Sequence, residues 1–221
     1  MKKEDNKPNL KSGSRLKKTK LFIDVDGVLL KRTGQQTSRG LTEFQNANHA
    51  TTFLRFCISN FDCYWLTARS RAGSTAEVER AFRQAVPDPA ASEHERNELK
   101  ALVSAIPVGA WGEMKADAFD AEEDFYWLDD NPDQASLSWL EQHDLSGRLV
   151  VVSTDQHPDD LARCREFLQK TGSGFRKPEF VRLSASLTKD QMKENIIAAL
   201  ARSGIAVKRN IDRVTGEKTD G

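Results

Sequence analysis

Short apolar runs recur along this chain, each closed by a polar turn and followed by a longer stretch in which apolar residues return every three or four positions. "LFI" at 21–23, "FDCYWLTA" at 61–68, "FYWLDD" at 125–130 and "RLVVVST" at 148–154 have the length and the branched or aromatic content of buried strands. Between them, helices are predicted at about 43–58, in "STAEVERAFRQAV" with Ser74 or Thr75 as the cap and an end before Pro87, in "RNELKALVSAI", in "ASLSWLEQH" and in "PDDLARCREFLQKT". "GEMKADAFDA" reads as one short helical turn, and "PDPAASEHE" as a loop. Strands separated by helices describe βαβ units. The expected fold is therefore α/β, a three-layer α/β/α Rossmann-like sandwich around a mainly parallel sheet. "AIPVGAW" is the one candidate for a further strand between 68 and 125.

Both ends differ from this pattern. Residues 1–19 form a basic tail, 20–171 the α/β domain, and 172–221 a Gly/Pro linker, an amphipathic helix in "LTKDQMKENIIAALARSG" and a polar end. The chain has 221 residues, 38% of them hydrophobic and 30% charged, and a formal net charge of zero. That balance hides an asymmetry, because residues 1–20 carry eight Lys or Arg against only Glu4 and Asp5. The tail reads as a solvated leader, or as an electrostatic arm for nucleic acid; it has no interleaved aromatics for stacking bases. The C-terminal helix reads as packing against the domain or a partner.

No apolar run approaches the length that crosses a bilayer, and no sustained apolar segment follows the basic N-terminus, so neither a membrane span nor a secretory signal is expected. Cys57, Cys63 and Cys164 are odd in number and fall in strand-like or helix-like stretches, which suits reduced, structural thiols and a cytoplasmic protein. The four histidines are scattered, so no zinc spacing appears.

The chemistry gathers at the strand ends, where parallel sheets bind their ligands. Asp24 and Asp26 follow the first strand in "LFIDVDGVLL"; Thr67 closes the second; Asp129 and Asp130 close "FYWLDD", with Asp133 one turn on. Each feature has an ordinary reading alone: "DVDG" as a turn, Thr67 as a turn or cap, Lys115 as a surface residue, Asp129 or Asp130 as a helix cap. A calcium loop is excluded, since Val28 stands at the third ligand position and Gln35 where the closing glutamate belongs. Carboxylates from separate strand ends would repel at a low-dielectric rim, and a hard divalent cation such as Mg²⁺ removes that repulsion. One carboxylate can then attack phosphorus, and a second, two residues on along an extended chain, can shuttle the proton.

In this order, "LFIDVDGVLL", "CYWLTA", "WGEMKADAF" and "FYWLDDNPD" resemble the four motifs of the haloacid dehalogenase-like (HAD) phosphohydrolases, over roughly residues 20–170. The resemblance implies Asp24 as nucleophile and Asp26 as general acid/base. It implies Mg²⁺ held by the Asp24 carboxylate, the Asp26 backbone carbonyl and the pair Asp129 and Asp130, either of which could be the direct ligand. Thr67 and Lys115 would bind the phosphoryl group. The stretches between the motifs are too short for the large cap domain of many such enzymes. The expected function is thus a Mg²⁺-dependent phosphatase acting on a phosphomonoester at an open site, a macromolecular substrate included. Two alternatives stand beside it: a nucleic-acid end-processing phosphatase that uses the basic tail, and a non-catalytic interaction module that keeps the fold. Substrate selection would fall to loops 27–42 and 86–97, with Arg32, Arg39 and Arg69 as candidates to meet a charged leaving group.

Overall fold

A computed structural model describes residues 18–70, 73–171 and 181–182. The chain divides into two compact units, Met1–Val181 and Arg182–Gly221, and apart from Arg182 the described residues lie in the first. The basic tail through residue 17, the linker at 172–180 and the amphipathic C-terminal helix expected from the sequence lie outside the described residues.

Strands β1 (Lys20–Ile23), β4 (Asp62–Trp65), β5 (Phe125–Asp129) and β6 (Leu149–Val151) build one parallel sheet in the order β4-β1-β5-β6, and the two-residue strand β7 (Val181–Arg182) follows β6. Helices α1 (Ala50–Asn60), α2 (Ala76–Gln84), α3 (Glu93–Ala105), α4 (Gln134–Gln142) and α5 (Asp160–Thr171) complete the three layers. The α/β sandwich read from the sequence is the fold observed.

Alternation along the strands sorts the core between two faces. Phe22 lies beside Tyr64 and Trp127 in register, and together with Phe125, Leu140 and Leu149 they form the core under α4. Phe119 plugs this layer, with its ring 4.6 Å from Phe125, 5.1 Å from Phe22 and 5.3 Å from Trp127. On the opposite face Trp65 is fully buried; its indole Nε1 donates to the Val103 carbonyl of α3 (3.2 Å), and its ring meets Phe82 of α2. Tyr126 meets Phe167 of α5 edge-on.

Two expectations need correction. The helix predicted over 43–58 begins only at Ala50; residues ahead of it form a β-hairpin, β2 (Leu30–Gln36) against β3 (Thr42–Asn46), with a register shift between Arg32 and Gln36. Phe44, Phe53, Leu54 and Phe56 suggest a helix in the sequence, yet the chain reverses at Thr37–Leu41 and turns again at His49, which adopts a left-handed conformation (φ 64°). The hairpin is polar and half-exposed, so no apolar alternation marks it. The loop at 86–97 is likewise shorter than expected: Val86 pairs by backbone with Phe44 and Asn46, and α3 starts at Glu93 behind a Ser92–Glu95 capping box. The stretch "AIPVGAW" does act as a rudimentary edge strand. Pro107 and Gly109 bracket Trp65 with backbone hydrogen bonds of 2.8 Å on either side, and Val108 forms a single parallel bridge.

Cys57, Cys63 and Cys164 are all buried and free, and burial raises their thiol pKa values, that of Cys63 to about 12, so they rest as unreactive core thiols. Among the described residues no helix is long and apolar enough to cross a membrane.

Trp65 ties the edge of the sheet to both α2 and α3. Trp65→Ala is expected to cost about 3–5 kcal/mol, read as a lowered urea midpoint in far-UV circular dichroism.

Candidate functional site

From β1 the chain crosses to β4 on one side and later to β5 on the other, so the carboxyl end of β1 is the point where the sheet's connections diverge. Such a divergence opens a crevice between neighbouring strand ends, and ligands settle there in open α/β sheets. Asp24 follows β1, Thr67 follows β4 and Asp129 ends β5, which brings three of the sequence candidates to one place.

The backbone at Asp24 still belongs to the sheet, its amide donating to the Leu128 carbonyl (2.9 Å). The chain then folds back: the amides of Leu29 and Leu30 both return to the Val25 carbonyl, and that of Gly27 reaches the Leu30 carbonyl at 2.7 Å. Val25, Val28 and Leu29 are fully buried beneath this turn, which explains why apolar residues continue past the acids. Gly27 is required twice over. Its φ is +77°, and a Cβ there would stand 2.0 Å from the Asp130 carboxylate, so Asp130 occupies the space a side chain would fill.

Carboxylate oxygens of Asp24, Asp129 and Asp130 lie within 4.8 Å of one another. Lys115 enters this group, with Nζ 2.6 Å from Asp129 and 3.2 Å from Asp24. The Thr67 hydroxyl and the Val25 amide hydrogen-bond Asp24, and the Asn131 amide donates to Asp129 at 2.9 Å. Both Asp129 and Thr67 are essentially inaccessible to solvent.

The Lys115 ammonium is set in place from behind. It opens a short 3-10 turn, Lys115–Ala118, that is pinned by Phe119 in the aromatic layer. The Ala116 amide donates to the Ser136 hydroxyl (2.9 Å), which donates in turn to Asp133 (2.7 Å). Asp133 is the N-cap of α4, accepting the Ser136 amide at 2.8 Å. Asp133 thus stands outside the carboxylate cluster and instead anchors the turn that presents Lys115. A cavity of about 560 Å³ borders this side, lined by Trp111, Lys115, Asn131 and Asp133 among others. A second cavity, about 420 Å³ between α1 and α3, shares none of the site residues.

Asp26 turns away. Its carboxylate faces Arg69, with Arg69 Nε 2.9 and 3.0 Å from the two oxygens and Nη2 2.8 Å from one. Arg32, from β2, ion-pairs with Asp155 and lies 3.6 Å from Asp130, whereas Arg39 is exposed in the hairpin turn. Asp155 went unnoticed in the sequence, although it follows the strand in "RLVVVST" and the strand-end rule applied to the other acids reaches it. Thr154, next to it, clasps the Gly27 carbonyl through both amide (2.8 Å) and hydroxyl (3.0 Å).

Electrostatics follow from this crowding. Burial raises the Asp24 pKa, against the pull of Lys115, the Val25 amide and Thr67. Asp129 is raised by burial and by the charge of Asp24, with Lys115 opposing. Asp130 is pushed up to about 7 by burial and Asp24, with Arg32 opposing. For Lys115 burial works against the ammonium, but Asp129 and Asp24 outweigh it and hold the pKa above its usual value. Asp24 and Asp129 share a firmly protonated Lys115, Asp130 and Asp155 share Arg32, and positive charge is in deficit.

No protein-family model matches the chain, and a search of curated proteins finds no match.

With its carboxyl protonated up to about pH 7 in the folded protein and ionising near 3.8 when unfolded, Asp130 costs stability as pH rises between those values, and the full cost remains above them. In EDTA, Asp130→Asn is expected to be nearly neutral at pH 4 and to stabilise by roughly 1–3 kcal/mol at pH 8, measured by urea denaturation across that range.

Proposed function

We propose that the chain is a HAD-like, Mg²⁺-dependent phosphatase that hydrolyses a phosphomonoester through an aspartyl-phosphate on Asp24. The observation that carries this reading is the buried convergence of Asp24, Asp129 and Asp130 around Lys115, with Thr67 on Asp24. A structural ion pair needs one carboxylate for one ammonium. Here Asp24 and Asp129 share that one lysine, while Asp130, 3.6 Å from Arg32, divides the guanidinium with Asp155, so the acids of the site outnumber the cations that face them.

A divalent cation fits the donor set. The three acids supply hard oxygen ligands from two strand ends, and the raised pKa of Asp130 marks the missing positive charge. Asp24, Asp129 and Asp130 would hold it, with the Asp26 carbonyl as a further donor. When bound, Mg²⁺ supplies charge neutralisation for the phosphoryl oxygens and keeps the acids ionised.

The protein's own groups divide the remaining work. Asp24 attacks phosphorus, and the Asp24–phosphorus bond forms as the ester bond breaks. Lys115, fixed by the Ala116–Ser136–Asp133 chain, offers a permanent positive charge to a phosphoryl oxygen, and the Thr67 hydroxyl offers a hydrogen bond. Asp26 gives a proton to the departing oxygen and later takes one from the water that cleaves the acyl phosphate. Between β1 and α1 the chain inserts the hairpin alone. This supports an open entrance and a substrate larger than a cap would enclose.

Turnover of p-nitrophenyl phosphate with Mg²⁺ is the first test. EDTA and Asp24→Asn are each expected to lower it at least about 10³-fold, and retained turnover in Asp24→Asn would overturn the nucleophile assignment. Independently of activity, Mg²⁺ at ten times its dissociation constant should stabilise the protein by about 1.4 kcal/mol at pH 8. Because protonated carboxyls bind the ion poorly, the same addition at pH 5 should shift the thermal midpoint far less. Equal shifts at the two pH values would argue against these acids as the ligands.

A further inference from the structure

Asp26 is the one carboxylate of the motif turn that stays outside the cluster. Its side chain is 29% exposed, against 10% for Asp24 and none for Asp129. Its direction is set from outside the turn. The Arg69 guanidinium spans both carboxylate oxygens, through Nε to each and Nη2 to one. A planar fork of this kind fixes the plane of a carboxyl group as well as its position.

Arg69 is itself held from two sides. It lies in the 3-10 turn Ala68–Ser70 directly after Thr67; Ser70 is buried and returns both its amide (3.1 Å) and its hydroxyl (3.2 Å) to the Thr67 carbonyl. On the other side the guanidinium lies over the Phe44 ring, 5.0 Å from its centre. Phe44 belongs to β3 of the hairpin. The hairpin and the turn after β4 therefore meet on one arginine, and that arginine sets one acid.

We propose that Arg69, buttressed by Phe44, is the positioning residue that holds the Asp26 carboxyl on the solvent side of the site, where the ester oxygen departs. The inference rests on the phosphatase reading above. In an in-line displacement the nucleophile and leaving oxygen lie on opposite sides of phosphorus, so a buried Asp24 sends the leaving group outward. The Asp24 oxygen–phosphorus bond forms, the phosphorus–ester oxygen bond breaks, and the Asp26 carboxyl proton passes to the departing oxygen. In the second step Asp26 accepts the proton of the attacking water, and Asp24 is released as a carboxylate. A protonated Asp26 still offers its carbonyl oxygen to Arg69, so the hold persists through both steps.

The test compares esters whose leaving groups differ in their need for a proton. Nitrophenolate departs unaided, whereas an alkoxide does not. Arg69→Ala is expected to lower kcat/KM for an alkyl monophosphate about 30-fold and for p-nitrophenyl phosphate less than about 3-fold. Phe44→Ala, which acts on Asp26 only through Arg69, should show the same selectivity at about 3- to 10-fold, and Arg69→Lys should fall between wild type and Arg69→Ala. In an Asp26→Ala background, Arg69→Ala should add no further selective loss. Equal losses on both esters, or additivity with Asp26→Ala, would overturn the proposal. Arg69→Lys and Phe44→Ala keep the test decisive should Arg69→Ala not fold, as judged by circular dichroism. A wild-type protein that turns over neither ester with Mg²⁺ would instead remove the phosphatase reading, and the inference with it.

Discussion

The site depends on the Lys115 ammonium lying between Asp24 and Asp129. Without it, three carboxylates would face one another in a place where water is nearly absent, and the strand ends that carry them would be driven apart. With it, the charge is only partly balanced, so the pocket stays acidic and short of cations. The supports of Lys115 explain much of the surrounding architecture. The aromatic layer around Phe119, the cap of α4 and the Ser136 hydroxyl all converge on the short turn that presents one amine. Burying a lysine costs stability unless its partners are set in advance, and here they belong to β1 and β5, neighbouring strands of the sheet.

Much of this was legible in the sequence for a simple reason. Strands buried on both faces need uninterrupted apolar residues, and "LFI", "FDCYWL" and "FYWL" announce themselves. A carboxylate at the end of one such run is ordinary, but acids at the ends of separate runs have few innocent explanations together, so Asp24, Asp26, Asp129 and Asp130 stood out by position. Lys115 and Thr67 were readable only by their order relative to those acids.

The hairpin was not legible, because "LKRTGQQ" and "TEFQN" carry no alternation. Their pairing is enforced by the buried Leu30 and Asn46 at its base and by the backbone of Val86. The same gap hid the relation of Arg69 to Asp26. Residues 43 positions apart meet only because the turns after β1 and β4 share one edge of the sheet. Asp133 was visible as an acid, but its work as a cap that steadies Lys115 follows from helix geometry rather than from charge.

The clasp of Thr154 on Gly27 joins positions 127 residues apart. A ribosome delivers the aspartate turn well before its fastener, so the motif must wait, unlatched, while the residues between them are made. Contacts this distant in sequence form late and slow the folding of the whole. The acids of β1 and β5 likewise cannot meet until the roughly one hundred residues between them have been made, so a fragment that stops short of β5 carries no charge-frustrated pocket.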